Sequence, residues 1–224
     1  MTRPSTSLIS QSQMSMFKSK HFTPTRLIRY ITPKPSASIF TRTFTSSPQY
    51  FASSPKMDAF KKAGNRANAP PSHDMVHFPG LMSEKRSFGD FRTVLHTGLF
   101  SQVVAMEVPV GGDIGDEVHT VDQILLFTSG RGLATVNGKD QEVKAGDVVV
   151  VPAGTQHQFV TKGDQPLELI TVYSPAEHLP SSVHKTKEEG DKAEDDGVDE
   201  APEWSLKSKD ENVKNGNVSE SGKY

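Results

Sequence analysis

Residues 123–173 read QILLFTSGRGLATVNGKDQEVKAGDVVVVPAGTQHQFVTKGDQPLELITVY. Short runs rich in Val, Ile, Leu and Phe alternate here with turn-forming residues, which is typical of antiparallel β-proteins. Asn137-Gly138 fits the positive φ angles of a two-residue hairpin turn. Continued outward, the pattern predicts strands at 92–96, 102–108, 123–128, 133–136, 142–144, 148–151, 157–161 and 167–173. No long helical pattern interrupts them, so we predict an all-β barrel over residues 91–178.

The composition changes on both sides of this barrel. Residues 1–57 contain eight Lys or Arg and no Asp or Glu, which is typical of a mitochondrial targeting presequence. We predict a disordered presequence at 1–56, an N-terminal arm at 57–90 and a charged, mostly disordered tail at 179–224. Cleavage between Phe44 and Phe51 would deliver the protein to the mitochondrial matrix. Two alternatives remain open: a basic leader that carries no targeting signal, and a cytosolic form that starts at Met57.

The overall composition excludes several classes of function. The chain has no cysteine, so disulfides, thiolate zinc sites and cysteine nucleophiles are absent. Residues 58–224 carry 17 basic and 27 acidic side chains, and this negative balance argues against nucleic acid as a partner. The longest apolar runs, 124–127 and 148–151, are too short to span a membrane. The second run is apolar on both faces, which predicts a covering surface such as another subunit.

Two spaced motifs carry the candidate chemistry. They are Gly111-x5-Glu117-x-His119-x3-Gln123-x6-Gly130 and Gly146-x5-Pro152-x-Gly154-x2-His157. Side chains two apart on a strand share a face, so Glu117 and His119 are expected to lie together, with Gln123 and His157 added from other strands. Two imidazoles, one carboxylate and one amide oxygen suit one divalent ion with open positions, either Fe²⁺, Mn²⁺, Ni²⁺ or Co²⁺, in preference to a closed Zn²⁺ site.

These motifs resemble the two-part signature of the cupin superfamily, in which a His-x-His, a Glu and a later His converge on one metal inside a double-stranded antiparallel β-helix, or jelly-roll barrel. Glu117 stands at the first His position, Gln123 at the Glu position, and Thr161 where Asn is usual. Because Glu117 supplies the negative charge that Gln123 lacks, these two replacements leave the total charge of the four ligands unchanged. The alternative is a cupin that has lost its metal, in which His119 and His157 are ordinary polar residues.

Residues 93–187 look more specifically like small single-domain cupins that are often labelled mannose-6-phosphate isomerase-like. The shared segments are residues 117–123, 151–157 and 173–187, and the resemblance implies a homodimer. Leu125, Phe127 and Phe159 are predicted to share the face of the ligands. We therefore expect an apolar pocket for a small, mostly uncharged organic molecule rather than for a phosphosugar.

The sequence leaves two functional hypotheses open. The first is a metal-dependent enzyme acting on a small oxygenated substrate, with Glu117 as a catalytic residue as well as a ligand. Fe²⁺ would suit dioxygenase-like oxidoreductase chemistry, whereas Zn²⁺ or Mn²⁺ would suit an isomerase or cyclase. No separate general base is visible in the sequence. The second hypothesis is a non-catalytic module that binds a small ligand or has a regulatory role.

Overall fold

The computed structural model describes residues 55–82 and 87–219. This part of the chain consists mainly of β-strands, with short helices near its two ends. None of its helices is long and apolar enough to cross a membrane. The elements are α1 (Pro55–Ala63), β1 (Arg92–Thr97), β2 (Gln102–Val108), β3 (Asp113–Glu117), β4 (Asp122–Ser129), β5 (Arg131–Val136), β6 (Lys139–Lys144), β7 (Val148–Val151), β8 (His157–Lys162), β9 (Leu167–Ser174), β10 (Val183–His184), α2 (Lys187–Asp195) and α3 (Lys209–Lys214), with a 3-10 turn at Glu203–Ser205.

The strands form two antiparallel sheets, and this confirms the prediction of an all-β jelly-roll barrel. The first sheet has the order β10-β1-β2-β9-β4-β7, and the second has the order β3-β8-β5-β6. Apolar side chains from both sheets fill the space between them, as the alternation along the strands predicts. The β5–β6 hairpin turns at Asn137 and Gly138, with φ angles of 48° and 72°, which fits the predicted turn.

The N-terminal arm packs on the outer face of the first sheet. Met57 and Phe60 of α1 are buried in a second apolar cluster with Leu95, Ala105 and Ile170 of the sheet. This cluster covers β1, β2 and β9 and leaves β7 at the far edge of the sheet uncovered. Residues 1–54 of the predicted presequence lie outside the described residues.

Residues 179–219, the described part of the C-terminal segment, differ from the mostly disordered tail that the composition predicts. They contain α2, the 3-10 turn and α3, and polar contacts tie them to the rest of the protein. Asp199 lies 3.1 Å from Arg92 of β1, and the Trp204 indole N–H donates to Asn68 of the arm at 3.3 Å. A segment with few apolar residues is thus ordered by long-range charge pairs and hydrogen bonds, which local composition does not reveal.

Candidate metal centre

The four predicted ligands lie at one end of the barrel. Glu117 is the last residue of β3, and His157, the first residue of β8, is its cross-strand partner. Gln123 lies on β4 opposite Tyr173 of β9. His119 follows the end of β3 instead of continuing the strand, so strand alternation does not explain its position. The turn after β3 brings its side chain back towards Glu117.

The structure brings three of these side chains into one cluster. One potential ligand atom from each of Glu117, His119 and His157 lies within 4.8 Å of the other two. His119 Nε2 is 3.1 Å from Glu117 Oε2, and the two imidazole rings have centroids 5.2 Å apart. These separations allow all three side chains to contact one ion.

His157 presents a free lone pair in this cluster. Its Nδ1 donates to the backbone oxygen of Thr155 at 2.8 Å, and burial lowers its pKa, so the imidazole is neutral near pH 7. Its Nε2 is therefore unprotonated, and it is buried without a hydrogen-bond partner. A buried acceptor without a partner is costly, whereas a bound cation would satisfy it.

Gln123 offers a second unsatisfied acceptor. Its side-chain nitrogen donates to the Tyr173 hydroxyl at 3.0 Å, while its Oε1 is buried without a partner. The Tyr173 ring lies edge-on to His119 with a centroid distance of 5.4 Å, so Gln123 and the histidine cluster are neighbours. Gln123 Oε1 and His157 Nε2 are thus one oxygen and one nitrogen acceptor, and both are buried. Together with the carboxylate of Glu117 and the imidazole of His119, they form a set of ligand atoms that fits a divalent cation.

His119 lies between two carboxylates. Its Nε2 contacts Glu117 and its Nδ1 contacts Glu177, each at 3.1 Å. Burial alone would lower the pKa of His119, but hydrogen bonds and charges from both carboxylates outweigh it and raise the pKa to about 9. Burial likewise opposes ionisation of Glu117, yet the His119 contact holds the pKa of that carboxyl below its ordinary value. Without a metal, a proton on His119 therefore balances these charges.

Glu177 and Tyr173 contact two of the candidate ligands, although neither residue was expected there from the sequence. Glu177 contacts Nδ1 of His119 and so orients the imidazole with its Nε2 facing Glu117. Tyr173 orients the amide of Gln123. Neither residue belongs to the two spaced motifs that contain the candidate ligands. Only the pairing of β9 with β4 and the chain direction after β9 bring them to the cluster.

A cavity of about 290 Å³ adjoins the cluster, and its chemistry differs from the apolar pocket that we predicted. Leu125, Phe127 and Phe159 are packed in the barrel core and are at most 1% exposed, so they do not line this space. The lining residues are Glu117, Val118, His119, Glu177, His178, Glu194, Asp199 and Glu200. The cavity is therefore mainly acidic, and part of its surface comes from the C-terminal segment.

A second histidine–carboxylate cluster also lines this cavity. It consists of His178, Glu194 and Asp199. Arg92 extends into it, with Nη1 2.5 Å from Glu194 and Nη2 3.1 Å from Asp199. Burial opposes ionisation of Asp199, but hydrogen bonds and charges from His178, Ser182 and Arg92 lower its pKa to about 2. The guanidinium supplies the positive charge that a metal would supply in the first cluster.

Comparison with known proteins gives matches centred on the barrel. A family model described as Cupin domain matches residues 104–173. The uncharacterized protein YrkC of Bacillus subtilis is 41% identical over 113 residues, which are 47% of this chain and 60% of that protein. The chain thus spans about three fifths of that relative's length. The crystal structure of BH2720 from Bacillus halodurans is 33% identical with a TM-score of 0.50, over 55% of this chain and 96% of that one.

Two relatives with functional names match shorter stretches. An acireductone dioxygenase of Geobacillus thermodenitrificans is 28% identical over 78 residues, which are 32% of this chain and 43% of that enzyme. An oxalate-binding protein of Thermotoga maritima is 34% identical over 68 residues, which are 30% of this chain and 56% of that protein.

Proposed function

This chain belongs to the cupin family, and from that premise we propose that it holds one divalent metal ion and acts as an enzyme on a small oxygenated organic molecule. The proposed ligands are Glu117, His119, Gln123 and His157. The observation that carries the proposal is the pair of buried, unpartnered acceptors, His157 Nε2 and Gln123 Oε1, beside the Glu117–His119 pair. An empty polar barrel would leave both acceptors unsatisfied.

The surrounding residues support a role in substrate chemistry. A bound Fe²⁺ would supply redox chemistry for oxygenation, and Zn²⁺ or Mn²⁺ would supply Lewis-acid chemistry for an isomerase or cyclase. Glu177 and Tyr173 hold His119 and Gln123 in place through hydrogen bonds. The acireductone dioxygenase relative is named for oxygenation of a small molecule, and it favours the first of these two chemistries.

The alternative is a module that binds a small ligand without converting it. Four of the carboxylates that line the cavity already have a cationic partner: Glu117 and Glu177 contact His119, and Glu194 and Asp199 contact Arg92. A carboxylate held in this way is a poor proton acceptor, which favours binding over proton transfer. The oxalate-binding relative is named for binding alone.

Metal analysis of protein purified without chelators or a metal-binding tag tests the proposal. We expect about one metal ion per chain in the wild-type protein, and a loss of metal affinity of roughly tenfold or more in His157→Ala. His77→Ala is the matched control, since His77 is exposed and lies outside both clusters. Equal metal content in all three proteins would contradict the ligand assignment.

Oxygen consumption separates the enzyme from the binding module. The metal-loaded protein is screened with small oxygenated metabolites in an oxygen electrode, and products are followed by mass spectrometry. Turnover that is lost in His157→Ala and kept in His77→Ala supports the enzyme. Saturable ligand binding with neither oxygen uptake nor product would favour the binding module.

We also propose that the protein is a homodimer that is imported into mitochondria. Val148 and Val150 on the edge strand β7 are 56% and 58% exposed, and an uncovered apolar edge favours a partner subunit. Light scattering tests the dimer, and a monomeric mass would contradict it.

The acid-free composition of residues 1–57 supports import into mitochondria. Mass spectrometry of the endogenous N-terminus distinguishes cleavage between Phe44 and Phe51 from a start at Met57.

A further inference from the structure

The chain that follows the barrel returns to cover the candidate metal centre. Residues 186–200, which we call the C-terminal wall, contain α2 and the turn after it. Glu194, Asp199 and Glu200 of this wall line the same cavity as Glu117 and His119. A small molecule in the cavity would therefore contact the metal centre on one side and the C-terminal wall on the other.

Arg92 of β1 fixes the C-terminal wall to the barrel. Arg92 is 4% exposed, and its guanidinium bridges Glu194 and Asp199. Asp199 also accepts hydrogen bonds from the backbone N–H of Leu179 at 3.0 Å and from the hydroxyl of Ser182. Charge-assisted hydrogen bonds of this kind hold a defined geometry. The acidic side of the cavity is therefore a built part of the fold.

Gly190 explains how α2 comes so close to Arg92. It is buried in the middle of the helix, where glycine is less favourable than alanine. A Cβ atom at this position would lie 3.1 Å from Arg92 Nη2, closer than an ordinary contact. The lack of a side chain thus permits the approach of the helix to the guanidinium.

The cavity carries an excess of negative charge. Its lining includes the five carboxylates of Glu117, Glu177, Glu194, Asp199 and Glu200. Arg92 and a divalent ion together bring three positive charges, so carboxylates remain in excess even with a metal bound. A ligand that enters next to the C-terminal wall meets a negative field that an anion would have to overcome.

We propose that the C-terminal wall determines which ligands reach the metal, admitting neutral or cationic small molecules and repelling dicarboxylates and other anions. This inference rests on the proposed metal site and adds its substrate class. It also predicts a difference in ligand charge between this chain and the oxalate-binding relative of Thermotoga maritima. Glu194 and Glu200 are the specificity-determining residues, because they line the cavity without belonging to the proposed ligand set.

The test compares two double variants of the full chain loaded with Co²⁺. Glu194→Gln/Glu200→Gln removes two charges from the cavity and keeps an oxygen at residue 194 for Arg92. Asp195→Asn/Glu203→Gln removes two charges from exposed positions that do not line the cavity. Oxalate and imidazole are titrated at pH 8, and their binding is followed by the visible absorption of Co²⁺. Oxalate is the anionic probe, and imidazole is mainly neutral at this pH.

Removal of the cavity charges should tighten oxalate binding by roughly tenfold at low salt. Imidazole affinity should change by less than about twofold, and the gain for oxalate should shrink as salt screens the field. The exposed double variant should bind both probes like the wild-type protein. If the cavity variant instead opened the C-terminal wall, imidazole would also bind more tightly than in the wild-type protein, and that result would overturn the proposal.

Two further outcomes are decisive. Equal oxalate affinity in the wild-type protein and the cavity variant, with equal Co²⁺ content, would contradict the selection of ligands by charge. It would not contradict the proposed metal site. Failure of the wild-type protein to retain Co²⁺ would contradict the proposed function and this inference together. If the double variant does not fold, Glu200→Gln alone removes an exposed charge that is outside the Arg92 contacts, and it should still tighten oxalate binding by about threefold.

Discussion

Two clusters of histidine and carboxylate side chains line one cavity, and they differ in what occupies their centres. Glu117, His119 and His157 surround a position next to an unpartnered imidazole nitrogen. His178, Glu194 and Asp199 surround the guanidinium of Arg92. The residue types are nearly the same. The difference teaches that histidines and acids form a candidate metal site where no guanidinium already supplies the positive charge, and that their presence alone is not enough.

The largest effect is expected when the cation is removed from the filled cluster. Arg92→Met would leave Asp199, whose side chain is 1% exposed, as a buried charge without its guanidinium partner. We expect the free energy of unfolding to fall by about 3–5 kcal/mol, measured by urea denaturation. The exposed Arg131→Met is the control and should change stability by about 0.5 kcal/mol or less. Matching midpoints for the two variants would mean that Arg92 does not hold this cluster together.

A smaller effect is expected from pH at the other cluster. A metal that binds His119 must displace the proton that the raised pKa of about 9 retains. Metal affinity should therefore rise with pH, by on the order of a hundredfold between pH 6.5 and 8.5, in a Co²⁺ titration. The stability of the metal-free protein should fall over the same pH range. Its stabilisation by the His119 proton is complete below pH 6.5 and disappears as the pH rises through 9.

These two trends provide an internal check on the metal cluster. A metal affinity that stays constant from pH 6.5 to 8.5 would mean that His119 holds no proton in the metal-free protein. A metal-free protein that becomes more stable over the same range would contradict the sign of the pKa shift.

The smallest effect is expected from the hydroxyl of Tyr173. Tyr173→Phe removes the acceptor that orients the Gln123 amide and keeps the aromatic ring in the core. Metal affinity should fall by about tenfold, because outer residues of a metal site orient its ligands. The pairing of Arg92 with Asp199 should persist, so stability should fall by only about 1 kcal/mol. Unchanged metal affinity would remove Gln123 from the proposed ligand set.

The strands show which parts of the fold sequence analysis could predict. The β7 strand (Val148–Val151) and the neighbouring apolar runs were predicted to within a few residues, because alternation and turn residues are local signals. The β3 strand was missed, since Asp113–Glu117 contains one glycine and three acids, which disfavour strands. It is ordered through its pairing with β8. The two-residue β10 likewise exists through its pairing with β1.

The sequence by itself determined most strands of the barrel, since alternation and turns are short-range signals, and its two spaced motifs singled out Glu117, His119, Gln123 and His157 as candidate ligands. Only the tertiary structure decided that Glu177 contacts His119, that the cavity is acidic and that residues 179–219 are tied to the barrel. The physical reason is the separation along the chain. Arg92 and Asp199 are 107 residues apart, and no local pattern encodes which buried charge will meet which partner when the chain folds back.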